Sequence, residues 1–502
     1  MSDVEHPVPW LMRLSALVLL ALLLPAGMVH AQDADASRPN VLFVAVDDWN
    51  DWMGAMGTHP QVKTPNLDRL AARGTLFLNA ETPAPLCNPS RTAFLTGLRE
   101  TTTGVYGLAP GFRTVPALKD VVTLPQYFQA HGYWTMQAGK IFHGGYGDAD
   151  FQETANLSRR WSPPEKLVKE PIEPVDLKAV DWGVSPPGTD TLHIDYHVAR
   201  WGVQKLDSIH AAGNTQPFFL ALGFVATHVP YYAEQKWFDL YPENPVLPTA
   251  PPGDREDVPE FAWYLNWRLP EPRLSWLLEN REWEKKVRAY LAAISFMDAQ
   301  VGRVLDALER NGLADNTIVV VFSDHGYHFG EKDLTGKNTL WERSTHIPLI
   351  YAGPGITRGA RSTRVTDLMD LYPTLVELAG LPPKSGLDGI SMVPQLKDPT
   401  APRDHPAMTD SNPGNTAVRT ERYHYIRYAD GSQELYDLYR DRDEITNLAG
   451  KPEYAEVIRD LARWIPDNPA PHVPGSRSRV LWKEGDTWYW EGEPIVPSEL
   501  VR

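Results

Sequence analysis

Two stretches of this chain are apolar almost without interruption, and both end in acids: NVLFVAVDD at 40–48 and NTIVVVFSDHG at 316–326. A strand with one face in water alternates apolar and polar residues. A run with no polar face must be covered on both sides, which is the condition of a parallel strand between layers of helices. QPFFLALGF at 216–224 is a third such run. Amphipathic stretches lie between them. TPNLDRLAARG places Thr64 as a cap, Pro65 at the first helical position and Gly74 past the end. Residues 285–312 and 366–380 also carry helical spacing. This alternation predicts an α/β fold with a large mixed, mostly parallel sheet flanked by helices. From about residue 398 the texture changes. Residues 417–450 alternate polar and aromatic positions around Asp430-Gly431, as antiparallel hairpins do, and a helical stretch follows at 453–465. The expected organisation is a large catalytic domain at 38–397 and a smaller C-terminal α+β subdomain with an antiparallel sheet at 398–502.

The first 31 residues stand apart. Arg13 precedes an apolar run from Leu14 to Leu24, then Pro25, then small residues at Val29 and Ala31. That is an export signal with cleavage after Ala31. The run is shorter than the about 20 residues a membrane span needs. A periplasmic or secreted product with no stable membrane insertion is expected. A net charge of −16 argues against nucleic acid as a partner, and it requires a local basic cluster if the substrate is an anion. The single cysteine, Cys87, cannot form an internal disulfide, so in an exported chain it is either incidental or chemical.

In an open α/β sheet, ligands gather at the carboxyl ends of the strands. Asp47 and Asp48 end the first run, and Asp324 and His325 the last. Lys140 and His143 follow the short segment YWTM, and His228 follows LALGFVA. Three carboxylates in one place repel unless a cation compensates them, and oxygen-rich ligation favours Ca²⁺ or Mg²⁺ over zinc. Any one of these acids could instead cap a helix or turn; two pairs at the ends of two buried strands favour a shared cation. Cys87 opens a helix, with Asn88 as its cap and Pro89 just inside. A helix N-terminus suits an anion and lowers a thiol's pKa. Arg91, about one turn on, offers a permanently charged fork suited to a tetrahedral oxyanion. Lys140, His143, His228 and Lys337 could add positive charge or move protons.

CNPSRTAFLTG, residues 87–97, resembles the signature of the type I sulfatases, Cys-x-Pro-Ser-Arg-x-x-x-Leu-Thr-Gly, and matches it at Cys87, Pro89, Ser90, Arg91, Leu95, Thr96 and Gly97. The surroundings are similar too: PNVLFVAVDD and TPNLDRLAARG before or between, GKIFH and FSDHG after. Within that family the chain looks closest to the iduronate-2-sulfatase group, through TTTGVYG at 101–107, His325 directly after Asp324, and GKN at 336–338. It departs from that group at Ala226-Thr227-His228, where a Lys-Pro-His is usual, which weakens the case for a uronate substrate.

The resemblance implies an alkaline-phosphatase-like fold and a definite chemistry. A formylglycine-generating enzyme would oxidise Cys87 to Cα-formylglycine, whose hydrate attacks sulfur and later expels sulfate as the carbonyl reforms. One Ca²⁺, or less readily Mg²⁺, would be held by Asp47, Asp48, Asp324, His325 and the modified Cys87. Arg91 and Lys140 would hold the hydrate and sulfate, and His143 would take the diol proton. His228 and Lys337 would contact the sulfate ester, one of them protonating the leaving oxygen. The expected substrates are sulfated mono- and oligosaccharides from polysaccharide or glycosaminoglycan, 2-O-sulfates among them. Two competing readings are a phosphoester or phosphonate hydrolase of the same superfamily and a non-catalytic carbohydrate-binding protein on this scaffold. Trp49 and Trp52 would either stack on a sugar ring or pack the loop that carries the acids.

Overall fold

The computed structural model describes residues 38–145, 147–157, 161–173 and 175–499, so the export signal expected at 1–31 lies outside the described residues. Eight strands form the central sheet: β1 (Asn40–Val46), β2 (Thr75–Glu81), β3 (Trp134–Gly139), β4 (Glu153–Thr154), β5 (Phe218–Phe224), β6 (Thr317–Ser323), β7 (His346–Ala352) and β8 (Ala360–Asp367). Their order is β8-β2-β7-β6-β1-β5-β3-β4. All neighbours pair in parallel except β7, which runs antiparallel to both β2 and β6.

The reason β1 reads as one apolar run is now visible. Leu42, Val44 and Val46 point into a core beneath the long helix Trp283–Arg310, and Val41, Phe43 and Ala45 point into a second core on the opposite face. Both β1 neighbours are parallel strands, so its carboxyl end lies level with those of β5 and β6: Val46 pairs with Phe224 on one side and Ser323 on the other. The residues that follow these three strands therefore emerge at one edge.

The helix expected at 366–380 begins later. Thr366 and Asp367 finish β8, paired with Ala80 and Glu81 of β2; the helix proper is Leu371–Leu378. β-Branched Thr366 suits the strand, and the Asp367 carboxylate accepts the Met369 N–H at 2.9 Å to turn the chain.

C-terminal to the central sheet, Ala407–Asp410, Thr416–Arg419, Tyr423–Arg427 and Gln433–Asp437 make a four-stranded antiparallel sheet. Its Val418, Tyr425 and Leu435 pack against Leu461 of the helix Ala455–Ala462. Its other face, through Ala417, Ile426 and Tyr436, meets Trp263 and Trp341 of the larger unit.

Candidate active site

Asp47 and Asp48 leave β1 in a sharp turn. Asp48 adopts φ of 58°, a left-handed conformation that aspartate tolerates better than most residues. The turn is tied to the end of β6: Asp48 N–H donates to Asp324 Oδ1 at 3.1 Å, and Asp324 N–H to the Val46 carbonyl at 3.0 Å. The long helix braces the same turn. Tyr290 Oη donates to the Asp48 carbonyl at 2.8 Å and accepts the Asn50 N–H at 2.8 Å. Ser323 Oγ accepts from Trp49 N–H at 3.0 Å and donates to the His325 carbonyl at 2.8 Å.

Cys87 is the first residue of the helix Cys87–Thr96. Leu86, not Asn88, occupies the cap position, in an extended conformation and without a side-chain cap. Asn88 is already helical, and its Nδ2 donates to the Gly107 and Pro110 carbonyls, anchoring a neighbouring loop. Ser90 of the signature donates to the Asp324 carbonyl at 2.6 Å, which ties the helix to the β6 loop.

The ends of β3 and β5 approach so closely that only glycine fits. A Cβ on Gly139 would lie 2.1 Å from the Gly223 carbonyl oxygen, and one on Gly223 would lie 2.1 Å from that of Lys140. This approach carries Lys140 to Asp47, with Nζ 2.7 and 2.6 Å from the two carboxylate oxygens.

Ten residues expected at the site converge. Cys87 Sγ lies 3.1 Å from Lys337 Nζ, 3.3 Å from His325 Nε2 and 3.8 Å from Asp48 Oδ1. His143 and His228 both reach it with their side chains. Lys337 Nζ is also 2.6 Å from Asp48 Oδ1. Burial opposes ionisation of the thiol, but Lys140, Lys337 and His325 outweigh it and hold Cys87 well below the ordinary thiol range. Burial likewise opposes Asp47, yet Lys140, His228 and Arg91 keep it ionised. At Asp324 burial prevails and pushes the carboxyl up to about 6 despite Arg91.

Arg91 is fully buried and occupied. Nε donates to Asp324 at 2.7 Å, Nη2 to Asp47 at 3.3 Å, and Nη1 to the carbonyls of Lys140 and Ile141. Such a guanidinium fixes carboxylates in place rather than presenting a free fork to a substrate. Trp49 and Trp52 are buried at 0% and 2% exposure and pack the loop; Trp52 lies against Tyr290, Phe329 and His59, so neither offers a face to a sugar.

Two overlapping sets, Asp47–Asp48–Cys87–His228 and Asp47–Cys87–Asp324–His325, bring their ligand atoms within 4.8 Å of one another. Asp48 Oδ2 is buried and has no hydrogen-bond partner among the described residues. Three carboxylates, one of them with an unsatisfied oxygen, beside the His325 imidazole fit a hard divalent cation. Sequence reasoning missed Tyr290 and Ser323. Tyr290 reads as one more apolar position of an amphipathic helix; Ser323, a hydroxyl ending an otherwise apolar run, was the available signal.

Comparison with known proteins gives the family. A family profile described as Sulfatase matches residues 39–381, and a second, N-sulphoglucosamine sulphohydrolase, C-terminal, matches 330–468. A sulfatase of Formosa agariphila is 39% identical over 446 residues, covering 86% of this chain and 87% of that protein. The iduronate 2-sulfatase of Homo sapiens is 31% identical over 424 residues, covering 73% and 74%. A solved 2-O GAG sulfatase superposes with a TM-score of 0.67 at 24% identity, covering 85% of this chain and 91% of that one.

Proposed function

Because this chain belongs to the sulfatase family, we propose that it hydrolyses sulfate esters of carbohydrates, using Cys87 matured to Cα-formylglycine, in the periplasm or outside the cell. The observation that carries the reading is the placement of the only cysteine. Its Sγ, standing where the hydrate oxygens of the matured residue would lie, sits between Lys337 at 3.1 Å and His325 at 3.3 Å, at the carboxyl edge of the sheet. The carbohydrate class is supported by the 31% identity to an iduronate 2-sulfatase and by the fold shared with a 2-O GAG sulfatase.

Asp47, Asp48, Asp324 and His325, with the matured Cys87, would hold one divalent cation, Ca²⁺ before Mg²⁺. When bound, the cation would lower the nucleophile's pKa and neutralise sulfate oxygens. The chain's own residues divide the remaining work. Lys140 and Lys337 flank the carboxylates and supply positive charge against the overall −16. His228 is partly exposed, its side chain 30% accessible, with Nε2 3.9 Å from Asp48 Oδ2; burial opposes its protonation but Asp48 favours it. A histidine so placed protonates the leaving oxygen. His143, against Cys87, takes the proton that releases sulfate. Arg91 is a positioning residue that holds Asp47 and Asp324 at a fixed separation.

The test joins two measurements: intact mass of protein co-produced with a formylglycine-generating enzyme, and desulfation of defined sulfated mono- and oligosaccharides beside aryl sulfate and aryl phosphate. Conversion of Cys87 with release of sulfate from at least one sugar is expected. Turnover by protein whose Cys87 stays a thiol, or turnover confined to the phosphate ester, would overturn the reading.

A further inference from the structure

Three cavities on the C-terminal side share walls. One of about 480 Å³ lies between the irregular segment 403–406 and the end of the helix Ala455–Ala462. One of about 190 Å³ adjoins it, with Glu421 and Tyr439 lining both. A third, of about 390 Å³, shares Arg442 with the second and reaches Asp51 and Trp52 of the β1 loop. Through these shared residues the three follow one another along the seam between the central sheet and the C-terminal sheet, and they are taken together as one groove. None of the ten residues of the active site lines it.

The groups at its junctions are those a charged sugar chain needs. Tyr439 stands at one junction with 69% of its surface exposed, a large ring that packing does not explain. Arg442 stands at the other, exposed, and makes no hydrogen bond or ion pair among the described residues, though its charge reaches the buried Asp51 and Glu342. At the far end Trp464 is half-buried against His405, with ring centroids 5.2 Å apart, and Arg463, 69% exposed, comes no closer than 4.0 Å to Asp460. Most acids along the walls are already held. Glu421 is 2.6 Å from Arg364, Asp443 and Asp51 are 2.8 and 3.3 Å from Arg343, and Glu342 is 3.2 Å from Arg419. Asp404 and Asp460, both lining only the 480 Å³ cavity, are the exceptions, Asp460 standing 4.0 Å from Arg463. At the two junctions, where Tyr439 and Arg442 stand, what remains free is an aromatic face and a guanidinium, which stack on sugar rings and grip sulfate.

We propose that this groove is a second binding site, for an anionic stretch of saccharide chain remote from the ester being cleaved. The inference deepens the carbohydrate-sulfatase reading and rests on it. A polymer held in two places binds with a raised effective concentration at the active site, so long chains gain and short ones do not.

The test compares Cys87→Ala with Cys87→Ala/Tyr439→Ala/Arg442→Ala in binding heparin fragments of two and of twelve sugars, so that turnover does not intervene. The Kd for the twelve-sugar fragment is expected to rise at least fivefold in the triple variant, and that for the two-sugar fragment to stay within twofold. N- and O-desulfated heparin of the same length is expected to bind both variants equally weakly. On the Cys87-intact background, Tyr439→Ala/Arg442→Ala is expected to leave aryl-sulfate kcat/KM unchanged. Equal twelve-sugar affinity in the two variants, or equal binding of the desulfated chain to Cys87→Ala, overturns the groove. Absent aryl-sulfate turnover in the parent overturns the catalytic reading alone, since the binding arm does not depend on it.

Discussion

At the carboxyl ends of the central strands, Asp47, Asp48 and Asp324 gather with His325, Arg91, Lys140 and Lys337. Between the end of β2 and the C-terminal sheet, Glu81, Glu342 and Glu444 gather with Arg419, His346 and His424. The second group also has ligand spacing, with Glu342, His424 and Glu444 atoms within 4.8 Å of one another. Arg419 Nε lies 3.2 Å from Glu342 and 3.7 Å from Glu81; Glu444 pairs with His424 and accepts the Glu342 N–H at 2.8 Å. The inventories are nearly the same, but the approach differs. In the first cluster, Lys140, Lys337 and His228 keep 18%, 10% and 30% of their side chains accessible; in the second, no pairing side chain exceeds 5%. Converging charges become a reaction centre only where some of them face an entrance. Where they are almost wholly covered, as Glu342 and Arg419 are even where they border the 190 Å³ cavity, they join two sheets.

The sharpest way to break this contrast is to remove one member from each cluster. Cys87→Ala should lower sulfate-ester turnover on the order of 10⁴-fold or more, with circular dichroism and melting temperature near those of the parent. Turnover close to the parent's in that variant is incompatible with the chemistry assigned to the first cluster.

Glu444→Gln should do the reverse. It leaves His424 and Arg419 with less compensating charge inside the protein, and breaking a buried pair costs about 3–5 kcal/mol. Chemical denaturation should show that loss, while kcat per folded molecule stays within about twofold. A large fall in kcat at unchanged stability would mean that the two clusters are one machine.

Tyr290→Phe sharpens the contrast from within the first cluster. The ring stays packed against Trp52, Phe329 and Tyr231, but the hydroxyl that holds the left-handed Asp48 turn is lost. Groups that orient metal ligands typically contribute about 10–100-fold in affinity. Calorimetric titration of chelator-stripped protein with Ca²⁺ should show a weakening in that range, at a melting temperature within a few degrees of the parent's. Equal affinity in both proteins would reduce Tyr290 to packing.

These variants also mark what could be read in advance. Asp47, Asp48, Asp324 and His325 were legible because a strand buried on both faces announces itself as an uninterrupted apolar run, and its end locates the ligand edge. Cys87 and Arg91 were legible from a dense local signature, although the role expected of Arg91 assumed a free guanidinium and its contacts are to carboxylates. Asn88 was misread because asparagine's side chain favours caps in general, whereas here two loop carbonyls claim it. The second cluster had no signal at all. Its members come from the ends of two central strands, a short helix, two strands of another sheet and a loop, and only the docking of the two sheets brings them together. Tyr439 and Arg442 were hidden for a related reason: exposure without a partner is a property of the folded surface.

The smallest effect expected comes from Glu81, and it tests the enclosure of the second cluster directly. Both its carboxylate oxygens are buried without a hydrogen-bond partner among the described residues. Burial, and then the neighbouring Glu342 charge, push it up to about 7, while Glu342 itself is brought down to about 2 because Arg419, His346 and His424 outweigh burial there. The folded state therefore keeps a proton on Glu81 that the unfolded chain, near the ordinary value of 4.5, gives up. Below that ordinary value both states are protonated and the folded state keeps its full advantage; the advantage is lost as pH rises through about 7. Glu81→Gln holds the neutral form at every pH. The melting temperature of the variant relative to the parent should therefore rise steadily between pH 4.5 and pH 7, by a few degrees, and level off above. A difference independent of pH would mean that Glu81 is ionised throughout and that water or a cation reaches the second cluster after all.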